Sequence, residues 1–200
     1  GMLVCRDGSS KQRGHGKPPE DFPVAEETLF PSGSAALYRR AMLEEIGGFD
    51  DRFFLYCDDT DLGLRARWRG WKCLYVPDAV VEHHYSHSAG PASPLKAYLV
   101  ERNRLFVLAK NFPVRMLWAA PWTSLARYFW HACYLVEGRG SAARFRAEGR
   151  AGVKLVWYVL RAHFALIAHA GWLWRERRRI RARARVTPRV FRRLVAAHSI

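Results

Sequence analysis

Residues 47–71 read GGFDDRFFLYCDDTDLGLRARWRGW, and the order of residue types in that stretch decides how the rest of the chain is placed. Gly47-Gly48 stops the helical pattern of GSAALYRRAMLEEI, residues 33–46, as a C-cap does, so a strand running into a short helix is expected there. Arg52 to Cys57 is aromatic and apolar, and the carboxylates that follow can cap a helix that begins near Thr60 and ends at Gly70. Trp71 to Val76 then alternates as a strand closed by Pro77, and Ala79 to Val81 starts another extended run. Helix and strand alternate, so the expected class is α/β.

Working outward, residues 6–31 mix Gly, Pro and charge and read as a loop-rich lead-in, 1–32, that supplies little core. Leu95, Tyr98, Leu99, Leu105, Phe106 and Leu108 predict a helix over 95–110 that Pro113 ends. A catalytic-type unit is expected over 33–111. Two apolar stretches, 114–136 and 151–174, follow in an extension, 112–200, separated by a Gly/Arg linker from Glu137 to Arg150.

At 200 residues the chain has room for one core and an appendage, and half of its residues are apolar, which excludes global disorder despite a net charge of +15. Residues 1–100 hold 12 Lys and Arg against 14 Asp and Glu, while residues 101–200 hold 21 against 4. A half that is basic and rich in Trp, Leu and Val suits an anionic membrane surface, with nucleic acid as the rival partner. No nucleic-acid motif accompanies the basic residues, which argues against that rival. Cys5, Cys57, Cys73 and Cys133 form no CxxC pair, which argues against a disulfide framework or a cysteine zinc site and suits a reducing compartment. Met2 to Cys5 is too short an apolar run for a signal peptide.

The carboxylates at 58, 59 and 61 admit two readings. In one they cap a helix, whose dipole favours negative charge by about 0.3–1 kcal/mol each. In the other, a carboxylate rigidly aimed from a helix start takes a proton from an attacking hydroxyl. The whole stretch decides between them. It resembles the acceptor-side block of family-2 glycosyltransferases of the rhamnosyltransferase-like kind, roughly GGFDE-x-FF-x-Y-x-ED-x-DL-x-x-R-x-x-x-G. Gly47, Gly48, Phe49, Asp50, Phe53, Phe54, Tyr56, Asp59, Asp61, Leu62, Arg65 and Gly70 match, with Asp51 and Asp58 standing where glutamate is usual.

The resemblance implies that Asp59 is the base of an inverting sugar transfer and that Asp58 supports it, since adjacent carboxylates push their proton affinities apart. It places Gly33, Ser34, Asp61 and Trp71 on the acceptor side, Asp61 alternatively being a helix cap. For Gly33 to Ala36, tight packing is the plain alternative. In VPDAVVEHHYSHSAG, residues 76–90, it implies that His83 completes the coordination of a divalent metal, Mg²⁺ or Mn²⁺, on the donor diphosphate. A zinc site from His83, His84 and His87, or a solvated loop without metal, are the alternatives. Arg102-Asn103 resembles an RN pair common after the catalytic domain, and that arginine can hold a phosphate or a carboxylate of the core.

The expected fold is then the acceptor-side half of a GT-A (Rossmann-like) domain over roughly 30–110. No nucleotide-binding region or DxD motif precedes Gly33, so a nucleotide-sugar donor is expected to need a half outside this chain. The acceptor is expected to be a saccharide or a lipid-linked saccharide. In AGVKLVWYVLRAHFALIAHAGWLW, residues 151–174, Lys154, Arg161 and His169 recur on one helical face and favour lying on a membrane over crossing it. Trp172 and Trp174 with Arg175, Arg177, Arg178 and Arg179 are the expected membrane contacts, at the cytoplasmic face of the bacterial inner membrane. A helical hairpin that covers the core is the alternative.

Overall fold

The computed structural model describes residues 1–83, 93–138 and 153–199. His84, His87 and most of the Gly/Arg linker lie outside the described residues, and so does the three-histidine alternative. Strands β1 (Met2–Val4) and β2 (Ser10–Gln12) form one antiparallel pair; β3 (Glu26–Thr28) and β4 (Cys73–Tyr75) form another. The helices are α1 (Arg40–Ile46), α2 (Asp58–Trp68), α3 (Pro94–Asn111), α4 (Val114–Leu117), α5 (Ala120–Val136), α6 (Val153–Ala168), α7 (Ala170–Ala182) and α8 (Pro188–Ala197). Helix and strand both occur, as the pattern required, but among the described residues helix dominates and the sheets are small and antiparallel.

Helix α2 is the centre of the molecule because nearly every side chain on it is inside. Thr60 to Trp68 are all buried, arginines included, and α3 packs beside it. Gly63 sits where a Cβ would come within 2.2 Å of Phe30 Cβ, so only glycine admits that crossing. Leu62, Leu64 and Trp68 are fully buried, each worth about 1.5–3 kcal/mol as removed apolar surface. Phe191 of α8 stacks on Trp68 at 4.0 Å, and the Trp68 indole donates to the Asn111 carbonyl at 2.9 Å.

The structure corrects several expectations. The lead-in is no bystander, since Val4, Leu29 and Phe30 are core residues and Arg67 pins β3 and its exit through the Thr28 and Leu29 carbonyls. Residues 33–39 carry no strand, nor do 79–81, whereas helices and strands at 58–68, 73–75 and 94–111 stand close to where the pattern put them. The basic C-terminal half packs on the catalytic-type unit, with α6 and α7 both lying along α3. Small residues Ala162 and Ala165 let α6 approach, and His169 turns inward against Phe106 at 5.4 Å instead of joining a polar outer face.

The same packing overturns part of the membrane assignment. Trp172 is 8% exposed, edge-on to Phe106 and under the Arg52 guanidinium. Arg177 is buried and donates to the Ala109 carbonyl at 2.9 Å, while Arg181 lies over Trp68 and donates to the Asn111 carbonyl. Every fourth residue of this basic helix thus faces the core, as the alternative of a covering helix anticipated. Trp174, Arg175, Arg178 and Arg179 remain exposed.

A larger apolar face lies elsewhere. Trp122, Leu125 and Phe129 line one side of α5, with Trp118 just before it, while Val153, Val156, Trp157, Leu160, Phe164 and Ile167 line one side of α6, all exposed. No helix among the described residues is long and apolar enough to cross a membrane.

Candidate active site

The acidic cluster starts from an unusual approach of the chain. Phe54, Tyr56 and Cys57 all have positive φ, at 62°, 69° and 60°. Each such conformation costs a side-chain-bearing residue about 1–2 kcal/mol, so the loop needs outside support. Asn103, fully buried, supplies it, with Nδ2 lying 2.9, 2.8 and 2.7 Å from the carbonyls of Phe53, Leu55 and Tyr56. Arg102 donates to the carbonyls of Arg52 and Phe53 and, through Nε, to Asn103 Oδ1. The RN pair therefore holds the backbone of this loop.

Helix α2 opens directly from that loop. Asp59 Oδ2 accepts the Gly33 backbone N–H at 2.9 Å, and its Oδ1 accepts the Thr60 N–H at 2.6 Å. A Cβ on residue 33 would stand 3.3 Å from Asp59 Cβ, which gives the small residue there a local reason. The Thr60 hydroxyl also lies 3.2 Å from Oδ1, so Oδ2 is the oxygen that keeps a lone pair for a further donor. Asp58 is half-buried, and burial followed by the neighbouring Asp59 charge raises its proton affinity above the ordinary carboxylate range. The Cys57 thiol is pushed up by burial and then by Asp59 and Asp58, so it is no thiolate nucleophile.

Beside this point a cleft of about 850 Å³ runs between residues 31–42 and 70–83. Ser34, Tyr38, Trp71 and His83 line it, while Gly33, Asp58 and Asp59 stand next to its Ser34 wall. The buried Tyr38 hydroxyl has no hydrogen-bond partner among the described residues. Burial, then the charges of Asp59, Cys73 and Asp58, push it up to about 12, so it stays a neutral donor. The Trp71 indole N–H is already given to Glu45 at 2.6 Å, which leaves Trp71 its ring face for a ligand.

Asp61 is a correction. Its side chain is fully buried and touches no cleft. Oδ2 accepts from Arg65 Nε at 2.8 Å and Lys110 Nζ at 2.9 Å, and Oδ1 accepts from Asn111 at 2.8 Å. Burial alone would raise this carboxyl, but Lys110 and then Arg65 hold it below its ordinary value. Lys110 also reaches Asp50 at 2.6 Å, and Arg65 donates to the Ile46 and Gly48 carbonyls. Much of the GGFDD and DL-x-x-R pattern is therefore an internal clamp between α2, α3 and the turn after α1. Lys110 and Asn111 were invisible in advance because their partners lie about 50 residues away.

His83 is exposed on the cleft wall. No three His, Cys, Asp or Glu side chains converge on a metal position among the described residues. These residues do not make a metal site by themselves, and His83 supplies one imidazole at most.

The family described as glycosyltransferase-like family 2 matches residues 23–106. An N-acetylglucosaminyl-diphospho-decaprenol L-rhamnosyltransferase of Mycobacterium tuberculosis is 51% identical over 82 residues, 40% of this chain and 25% of that protein. The O-antigen chain rhamnosyltransferase RfbN of Salmonella typhimurium is 35% identical over 72 residues, 36% of this chain and 22% of that protein. Glucomannan 4-beta-mannosyltransferase 2 of Arabidopsis thaliana is 30% identical over 118 residues, 48% and 22% of the two chains. No solved structure matches. The matched region holds the paired aspartates, Arg65 and most of the cleft wall, and it is similar to glycosyltransferase-like family 2; two of the relatives named above are rhamnosyltransferases. The chain spans about a quarter of the length of these relatives.

Proposed function

We propose that this chain is the acceptor-side part of an inverting glycosyltransferase that moves a sugar from a nucleotide-sugar to a saccharide or lipid-linked acceptor in cell-surface polysaccharide synthesis. The observation that carries the reading is the Asp59 carboxylate, held at the start of α2 by the Gly33 N–H beside an open cleft. An acceptor hydroxyl lying against Asp59 loses its proton to that carboxylate as its oxygen attacks the anomeric carbon of the donor. Ser34, Tyr38 and the face of Trp71 orient the acceptor, and Asp58, raised by burial and then by the Asp59 charge, supports Asp59.

A specific observation favours a second assignment of the base. Asp58 has the raised proton affinity, from burial and then the Asp59 charge, in spite of the backbone N–H groups of Asp58 and Asp59 that bond to its carboxylate. Turnover of Asp59→Asn and Asp58→Asn in the complete protein separates the two. Loss in Asp59→Asn with partial activity in Asp58→Asn supports the main reading; the reverse pattern moves the base to Asp58, and full turnover in both removes the transferase mechanism altogether.

The donor and most ligands of a divalent metal would come from the part of the relatives that this chain does not cover, with His83 as an auxiliary ligand. No step is derived through that metal. The apolar faces of α5 and α6, together with exposed Trp174, Arg175, Arg178 and Arg179, suit an anionic leaflet of the inner membrane at its cytoplasmic side. Such a placement brings a lipid-linked acceptor to the same surface that carries the catalytic unit.

A further inference from the structure

We infer that Asn103 is a positioning residue for the transfer, acting on the aspartates through the loop that delivers them; the inference rests on the proposed role of Asp59. The backbone from Phe54 to Cys57 turns its carbonyls inward because three residues that carry side chains have positive φ. Left to itself this segment relaxes to negative φ, and the first turn of α2 then starts from a different direction. Three carbonyls of one short loop converge on a single amide nitrogen, with the carbonyl of Asn103 fixed in turn by Arg102. The next carbonyl along, that of Cys57, accepts the Asp61 N–H at 2.9 Å as the first helical bond. Orientation therefore passes from α3 to the loop, from the loop to the cap, and from the cap to Asp58 and Asp59.

The remaining geometry makes this more than local packing. Asn103 is fully buried and touches neither the cleft nor the Gly33 bond, so it contributes no contact to substrate. Phe53, which begins the loop, is anchored independently, edge-on to Phe106 at 6.1 Å and under the Lys110 ammonium. The far side of the loop is anchored by α2 itself. Between those two ends Asn103 holds the carbonyls of Phe53, Leu55 and Tyr56, Arg102 and the Leu55 N–H share that of Phe53, and Lys96 lies over the Tyr56 ring.

The test uses the complete protein with steady-state kinetics for donor and acceptor. Asn103→Ser is expected to fold, to lower kcat by about 10²-fold, the cost of a misplacement near 1 Å, and to leave the donor KM within about twofold. Phe54 is exposed, so Phe54→Gly removes the strain at that position without opening the core, and adding it to Asn103→Ser is expected to restore about tenfold of the loss. A purely structural role for Asn103 predicts no such recovery in kcat. If Asn103→Ser does not fold, Arg102→Met, at a half-buried position, takes its place with an expected loss of about tenfold. Wild-type kcat in the folded Asn103→Ser, or in Arg102→Met where that variant is used, overturns the inference, as does a failure of Phe54→Gly to recover any turnover. Asp59→Asn measured alongside keeps the two ideas apart: full activity there removes the base assignment, whereas an inactive Asp59→Asn beside an active Asn103→Ser removes only the positioning role.

Discussion

Gly33 and Asp59, 26 residues apart, meet through one backbone N–H at 2.9 Å, with no room for a larger side chain to pass without moving the carboxylate. Gly33→Ala is therefore expected to shift Asp59 by a few tenths of an ångström and to lower kcat about tenfold, less than the roughly 10²-fold cost of a full 1 Å displacement. Steady-state kinetics beside a melting curve checks this: an unchanged kcat refutes the contact as an aiming device.

The pH dependence should carry the signature of paired carboxylates. Burial and then the Asp59 charge raise Asp58, so the acid limb of kcat/KM to which Asp58 contributes lies above the ordinary carboxylate value of 3.8. Asp58→Asn removes one of the two charges, and the limb is expected to move to lower pH. A limb that stays in place shows that the two groups are not coupled in the active form.

Asp61 and Lys110 predict a stability effect of the opposite kind. The folded Asp61 carboxyl is held below 3.8, so its stabilisation is fully present above that value and is lost as pH falls through the lowered folded value. Lys110→Met leaves a buried carboxylate with one cation fewer and should cost about 3–5 kcal/mol. Its acid unfolding midpoint, followed by circular dichroism, is expected at higher pH than in wild type. An unchanged midpoint would contradict the ion network.

The membrane reading moves from Trp172 to the outer faces of α5 and α6. Trp122 is 74% exposed and Phe164 72%, so replacing both by Ser should weaken flotation with anionic liposomes while leaving the melting temperature within about 2 °C, since exposed sites rarely matter to stability. Trp172→Ala is expected to do the reverse and lower stability by about 3–5 kcal/mol through a core cavity. Equal liposome binding by wild type and the double variant would remove these faces from the membrane contact.

For His83, activity titrated with Mn²⁺ should need more metal in His83→Ala than in wild type, by about 10–100-fold if the imidazole is a ligand. Superimposable curves would return His83 to an ordinary exposed residue.

Local residue order made a good part of this protein legible. The acidic residues before an apolar run place α2, the apolar spacing over 95–110 places most of α3, and alternation up to Pro77 places β4. The family pattern picked out Asp59 and Gly33 before their contact was known. These signals act over a few residues, where spacing and dihedral preference are enough to read them. Tertiary structure alone decided which charges are inside: Asp61 pairs with Lys110, Arg177 and Arg181 enter the core, and Trp172 leaves the surface. A charge or an indole reads the same in a sequence whether it meets water or a partner, because the compensating group comes from a helix that only folding brings alongside. The left-handed loop before Asp58 belongs to that second kind, since Phe54, Tyr56 and Cys57 hold positive φ only where Asn103, 47 residues and more along the chain, gathers the carbonyls of Phe53, Leu55 and Tyr56.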